Sequence, residues 1–381
     1  MAGFADILKD LEKSNERKLR TKLPDWAEHF AELSLPTSLS LEQCSSTLTA
    51  QYKVSLLDAY LPEGQGVVCD LTGGLGVDSM AFARRAALVH YFEMQPQLAE
   101  AMKHNSAVFG LSNIDIHCQE VGLQTQLPEC DVVYADPARR SSSGSKVFLL
   151  EDCTPNILPM LPQLLQSSKL VMLKLAPMAD ISMLCKRLGQ CLKELHVVSA
   201  RGEVRELLCL LEKGHQGEAE IIVTELSECK KPEECRLLLS QERDAALQLA
   251  DSVSVGDTLL VPSAALMKAG AFKLISRQWG ARKLDVSTHL YLQSSDQEPP
   301  HAFFSAYQIE QVLEFGKAAM RQLATQYPKA EVIARNMPLS SDALAAKMKI
   351  KRGGDVFIFA CKTKTMGEVF LVTKKKLIFE D

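Results

Sequence analysis

Gly66-Val67-Val68-Cys69-Asp70-Leu71-Thr72-Gly73-Gly74-Leu75-Gly76-Val77-Asp78 is the stretch whose reading decides the fold. It opens with a short apolar run, the pattern of a strand buried on both faces of a parallel sheet. A glycine-rich turn follows, and Asp78 to Arg85 then reads as a helix. Glycines between a strand and a helix let backbone N–H groups come close to a ligand. Downstream, strand and helix patterns alternate. Strands are read at Leu88–Phe92, ending at Glu93, at Ile114–Gln119, at Asp131–Ala135, ending in Asp136-Pro137, and at Lys169–Leu175. Helices are read at Gln95–Phe109, Asn156–Leu165 and Ala179–Leu188. This alternation predicts an α/β, doubly wound sheet with right-handed crossovers. Leu195–Ser199 and Val204–Leu211 read as two more strands, joined by Ala200-Arg201-Gly202-Glu203. That link is too short for a parallel crossover, so the sheet is expected to end in an antiparallel hairpin.

On either side of this unit the pattern changes. Residues 1–60 read as a helical cap, with Leu19, Leu23, Trp26, Phe30 and Leu33 as its apolar stripe and Ser40 as an expected N-cap. Residues 227–300 read as a connecting region containing one helix, Ala264–Trp279, stopped at Gly280. Residues 301–381 read as a small α+β domain. Its expected elements are a helix at Gln308–Gln326, a strand at Ala330–Arg335, a helix at Ser341–Met348, and paired strands at Val356–Cys361 and Glu368–Lys374.

The chain has 381 residues, 46% hydrophobic and 24% charged, which excludes a disordered or fibrous protein. A formal net charge of −4 excludes a uniformly basic nucleic-acid coat but leaves room for a local basic patch. Eleven scattered cysteines form no C-x-x-C pair and no cluster with histidine at zinc spacing, so no metal is expected. Many unpaired thiols suit a reducing compartment, the cytoplasm. No apolar run is long enough to span a bilayer and no signal peptide is recognisable, so no membrane partner is expected.

The turn narrows the ligand. Asp70 at the strand tip would repel a pyrophosphate and suits an ammonium. No G-x-x-x-x-G-K-[ST] occurs, which excludes a nucleoside-triphosphate loop. Glu93 ends the next strand 23 residues after Asp70, close to the ~20 expected of an acid that accepts both ribose hydroxyls. Glu120 follows the third strand and is placed to sit by an adenine. Asp136 and Pro137 close another strand, where ligands of parallel sheets bind, and Asp136 could orient an acceptor amine. Arg139 and Arg140 could hold phosphate. Near the C-terminus, Lys347, Lys349, Lys351, Arg352, Lys362, Lys364 and Lys374–Lys376 form a local basic surface suited to a phosphate backbone. Each reading has a plain alternative: a solvated strand end for Glu93, a loop acid for Glu120, a solubilising face for the lysines.

Asp70 to Asp78, Glu93 and Asp136-Pro137 together resemble class I S-adenosylmethionine-dependent methyltransferases. Leu41–Ser46, Thr49-Ala50, Tyr52-Lys53, Lys174–Asp180, Lys268–Phe272, Arg282–Leu284 and His289-Leu290 are similar to a bacterial group of these enzymes with a C-terminal THUMP-like domain. The resemblance implies a Rossmann-like sheet with an antiparallel last strand over residues 61–226, and a THUMP-like domain over 301–381. It implies S-adenosylmethionine as cofactor, held by Asp70, Thr72, Gly73, Gly74, Gly76, Asp78, Glu93 and Glu120. Asp136 and Pro137 would be catalytic, and Arg139, Arg140, Lys351 and Arg352 would bind substrate. A nucleotide of rRNA or tRNA is the expected acceptor. Asp136-Pro137-Ala138-Arg139 lacks the second proline and the aromatic of amino-group methyltransferases, so N-methylation of a base does not follow. Two other functions stay open: methylation of a small molecule or protein, and RNA binding by a non-catalytic methyltransferase fold. The sequence leaves the oligomeric state undetermined.

Overall fold

The computed structural model describes residues 4–139, 150–294 and 301–376. The chain divides into two units, Met1–Arg236 and Leu237–Asp381.

The first unit begins with four helices, α1 (Phe4–Lys22), α2 (Pro24–Ala27), α3 (Ser38–Gln43) and α4 (Thr47–Leu56). Pro24 at the first position of α2 restarts the helix with a φ already set. Thr37 caps α3, and Ser46 caps α4 in a capping box with Thr49. Ser40, the expected cap, lies one turn inside α3, because Thr37 already accepts its N–H. The stripe Leu19, Leu23 and Trp26 is buried, and packs with Leu75, Val77, Met80, Tyr91 and Met102.

The alternating elements then follow: β1 (Val67–Asp70), α5 (Val77–Ala83), β2 (Leu88–Glu93), α6 (Pro96–Val108), β3 (Ile114–Cys118) and β4 (Val132–Ala135). A short ribbon pairs β5 (Ala138–Arg139) with β6 (Cys153–Thr154). Beyond it come α7 (Leu161–Ser167), β7 (Leu170–Leu175), α8 (Ile181–Leu188), β8 (Leu192–Ala200), β9 (Glu203–Leu211), β10 (Glu220–Leu226) and β11 (Glu233–Leu237). The nine-stranded sheet runs β11-β10-β8-β9-β7-β4-β1-β2-β3. β1 lies parallel between β2 and β4, with Asp70 level with Tyr91 and Tyr134. β9 runs antiparallel between β7 and β8, so the hairpin expected from the short link is present. It does not end the sheet. Residues 212–219 carry the chain back past β8, and β10 adds parallel to it.

The second unit holds α9 (Leu239–Asp244), β12 (Thr258–Pro262), α10 (Ala264–Ala269), α11 (Leu274–Trp279), β13 (Arg282–Lys283), β14 (Tyr291–Leu292), β15 (Phe304–Glu314), α12 (Lys317–Gln326), β16 (Glu331–Arg335), α13 (Ser341–Met348), β17 (Val356–Thr363) and β18 (Gly367–Lys375). Seven strands form its sheet, β13-β14-β12-β15-β18-β17-β16. Residues read as one helix over Ala264–Trp279 form two, because Gly270 turns left-handed at φ +76 and closes α10. Residues 308–314, read as the start of a helix, are the second half of β15, and the helix starts only at Lys317. β15 is paired on both sides, with β12 and β18, and a register shift between Ile309 and Gln311 breaks its side-chain alternation. α12 and α13 pack Leu323, Leu344 and Met348 onto one sheet face at Ile358, Phe370 and Val372, while Phe359, Val369 and Leu371 join a second core on the other face.

Candidate active site

The first glycine turn is built around two carboxyls. Asp70, buried at the tip of β1, accepts the N–H of Thr72 at 3.0 Å and the hydroxyl of Ser79. Glu93, buried at the tip of β2, accepts the N–H of Gly74 at 2.9 Å through one oxygen and that of Gln95 at 2.8 Å through the other. Each glycine has its own reason. A Cβ on Gly73 would lie 2.0 Å from the Tyr91 ring, and one on Gly76, at φ +87, 2.3 Å from the Met102 sulfur. Gly74, at φ +56, lines the cavity, and a Cβ there would meet no protein atom closer than 3.9 Å. The Thr72 hydroxyl accepts the backbone N–H of Asp136 at 2.6 Å, which ties the turn to the tip of β4.

These tips open on a cavity of about 680 Å³. Asp70, Thr72, Gly73, Gly74, Gly76, Asp78, Glu93, Glu120, Asp136 and Pro137 all line it. Glu120 is exposed. The backbone of Arg139 pairs with Cys153 in the β5–β6 ribbon, and Arg140 lies outside the described residues. Lys351 and Arg352 belong to the second unit; both are exposed, and Arg352 pairs with Glu331 at 3.2 Å.

Other side chains at the site were not signalled by spacing. Lys53 of α4 is fully buried, with its ammonium 3.1 Å from Asp78, 2.9 Å from Glu206 and 2.9 Å from the Ser45 hydroxyl. Asp78 also accepts the hydroxyls of Ser45 at 2.7 Å and Tyr134 at 2.8 Å. Burial works against the Asp78 carboxylate, yet Lys53 and Lys174 hold its pKa below the ordinary value. For Glu206 burial prevails over the same two lysines, and its pKa is raised. Lys174 at the end of β7 forms an ion pair with Asp136. Burial alone would lower Lys174, but Asp136, Glu206 and Asp78 carry its pKa above the usual lysine range. A lysine inside the apolar run Leu170–Leu175 was the one visible hint of this pair. Away from the cavity, β2 and β3 bring His90, Asp115 and His117 together.

Parallel strands β1, β2, β3, β4 and β7 flanked by the antiparallel β9, with a glycine turn at the tip of β1 and acids at the tips of β2 and β4, make the class I methyltransferase fold. The comparisons agree. A structure from Porphyromonas gingivalis W83, provisionally described as a methyltransferase, is 30% identical, covers 96% of this chain and 89% of its own, and superposes with a TM-score of 0.84. The chain belongs to the same family, class I methyltransferases with a THUMP-like C-terminal domain. Residues 304–375 match the family described as THUMP domain-like, and residues 259–299 one described as a ferredoxin-like domain. An rRNA methylase from Streptococcus thermophilus (15% identity, 42% of this chain, 94% of that one, TM-score 0.32) and a ribosomal protein L11 methylase from Lactobacillus delbrueckii subsp. bulgaricus (15%, 44%, 79%, 0.33) are more distant and bear on no substrate. No curated protein matches the chain. No helix among the described residues is long and apolar enough to cross a membrane.

Two expectations follow. Lys53→Met leaves Asp78 and Glu206 buried without their cation, and should cost roughly 3–5 kcal/mol of unfolding free energy in urea titrations. The second concerns pH. Burial lifts the Asp70 carboxyl from 3.8 to about 7, with Ser79 and Thr72 pulling it down and Asp78 and Asp136 pushing it up. The folded state therefore holds this proton more tightly than the unfolded chain. The stability it contributes is complete below pH 3.8 and is lost as pH rises through about 7. Between pH 4 and pH 7 wild type should lose stability relative to Asp70→Asn; parallel curves for the two proteins would refute this.

Proposed function

We propose that this protein transfers a methyl group from S-adenosylmethionine to a nucleotide of a structured RNA. The observation that carries the reading is the placement of the glycine turn, Glu93 and Asp136 around one cavity. The cofactor fits the donor set. Each Glu93 oxygen holds one N–H and keeps a lone pair for a ribose hydroxyl. The space beside Gly74 is where a ligand can approach the backbone. When bound, the cofactor supplies a methyl already activated on a sulfonium, so little is asked of the protein beyond positioning and exclusion of water.

Glu93 orients the ribose, and residues 72–76 offer backbone groups to the amino-acid end. Asp136 has its backbone fixed by Thr72 and its carboxylate by Lys174. It can accept a proton-bearing group of the acceptor and turn that group's lone pair toward the methyl. Pro137 stiffens this tip. Ala138 and Arg139 stand where amino-group methyltransferases carry a second proline and an aromatic, so this motif does not select the acceptor atom. RNA is favoured over a small molecule or protein by the THUMP-like domain and by exposed Lys347, Lys349, Lys351, Arg352, Lys362 and Lys364. Arg139 and Arg140 would add phosphate contacts. Eleven cysteines, none of them in a disulfide among the described residues, fit a cytoplasmic location.

Thermal shift with S-adenosylmethionine, S-adenosylhomocysteine and NAD tests the cofactor. At 100 times its dissociation constant a ligand stabilises by about 2.7 kcal/mol, and Glu93→Ala should lose most of that. A response to NAD alone, or to none of the three, would sink the reading. Tritiated methyl transfer to RNA pools, across a salt series, tests the acceptor. Reversing Lys351 and Arg352 to Glu should weaken RNA binding and flatten its salt dependence; transfer to protein but not RNA would select the other substrate class.

A further inference from the structure

We infer that His90, Asp115 and His117 form a three-ligand site for a borderline divalent transition-metal ion such as zinc. The Nδ1 of His90, the Nε2 of His117 and one oxygen of Asp115 make a nearly equilateral triangle. Its edges are 3.1 Å between the nitrogens, 3.3 Å from His90 to Asp115 and 3.2 Å from His117 to Asp115. Ligand atoms about 2.0–2.1 Å from a tetrahedral zinc ion are roughly 3.3 Å apart. In their ligating form all three atoms carry a lone pair, and at these spacings they repel one another unless a proton or a cation lies between them.

The backbone prearranges the site. In the parallel pair β2–β3, His90 lies opposite Asp115 and Phe92 opposite His117. Strand alternation puts all four on one sheet face, while Tyr91, Ile114 and Ile116 pack with the helices on the other. The Phe92 ring stacks on the His117 imidazole at 4.4 Å and 12°, which fixes its plane. Asp115 is half exposed and His117 partly so, which leaves an approach for the ion and an open coordination position. Two imidazoles and one carboxylate select a first-row transition ion over magnesium or calcium. The bound ion ties the edge strand β3 to β2 three residues before Glu93, independently of what the cavity binds.

Full-length protein stripped with a chelator and titrated with Co²⁺ tests this. One equivalent should bind with visible d–d bands and no sulfur-to-cobalt charge transfer, and Zn²⁺ should displace it. Asp115→Ala and His117→Ala should each weaken binding at least roughly tenfold, the loss seen when even an outer partner of a metal ligand is removed. Asp115 is exposed and in no core, so its variant folds even if His117→Ala does not. Absence of a stoichiometric signal would overturn the proposal. So would a charge-transfer band reporting cysteine ligation, or unchanged affinity in Asp115→Ala.

Discussion

A lysine ammonium with no exposed surface must be paired, and in this protein that requirement organises the first unit. Lys53 comes from α4, Asp78 from the start of α5 and Glu206 from β9, three segments far apart in sequence. An isolated buried charge costs several kcal/mol, so only a placement of α4 that satisfies all three groups is tolerated. One residue earlier, the Tyr52 hydroxyl lies 2.8 Å from His196 of β8 and 2.9 Å from Thr224 of β10. The N-terminal helices are thereby pinned at the glycine turn and also to β8 and β10. Their apolar stripe supplies adhesion; the polar contacts supply register.

From that anchor the site is assembled by short bonds between strand tips. Asp70 closes its own turn, Glu93 reaches across from β2 to hold Gly74, and Thr72 reaches across to hold Asp136. No single tip is independent of its neighbours. Tyr91, under Gly73 and bonded to the Gly74 carbonyl, fixes the height of the turn above the sheet. Gly73 and Gly76 are there because the Tyr91 and Met102 side chains already occupy the space a Cβ would need, whereas Gly74 faces open space.

What could be read from the sequence was local. A strand, a glycine turn and a helix are contiguous in Gly66–Arg85, and acids at strand ends follow from the same pattern. The four-residue link Ala200–Glu203 forced a hairpin by geometry alone. The misread segment, 308–314, failed for an equally definite reason: the shift at Ile309/Gln311 erases the period of two, and pairing with β12 and β18 decides the conformation. Lys53 and Glu206 had no short-range signature, and Lys174 only its place inside an apolar run, since their partners are brought by the fold. The same holds for His90, whose neighbours Asp115 and His117 become adjacent only through strand pairing.

The ion pair at Asp136 has one more implication. Asp78, Glu93, Glu120 and Asp136 line the cavity with Asp70, whose proton is held up to about pH 7, against Lys174 and Arg205 and with Lys53 behind Asp78. The chamber is thus a weak cation trap. On the methyl-transfer reading, the donor enters as a sulfonium and leaves as a neutral thioether. The same carboxyls that draw in the donor have less hold on what remains, so the field of the chamber turns over its own contents.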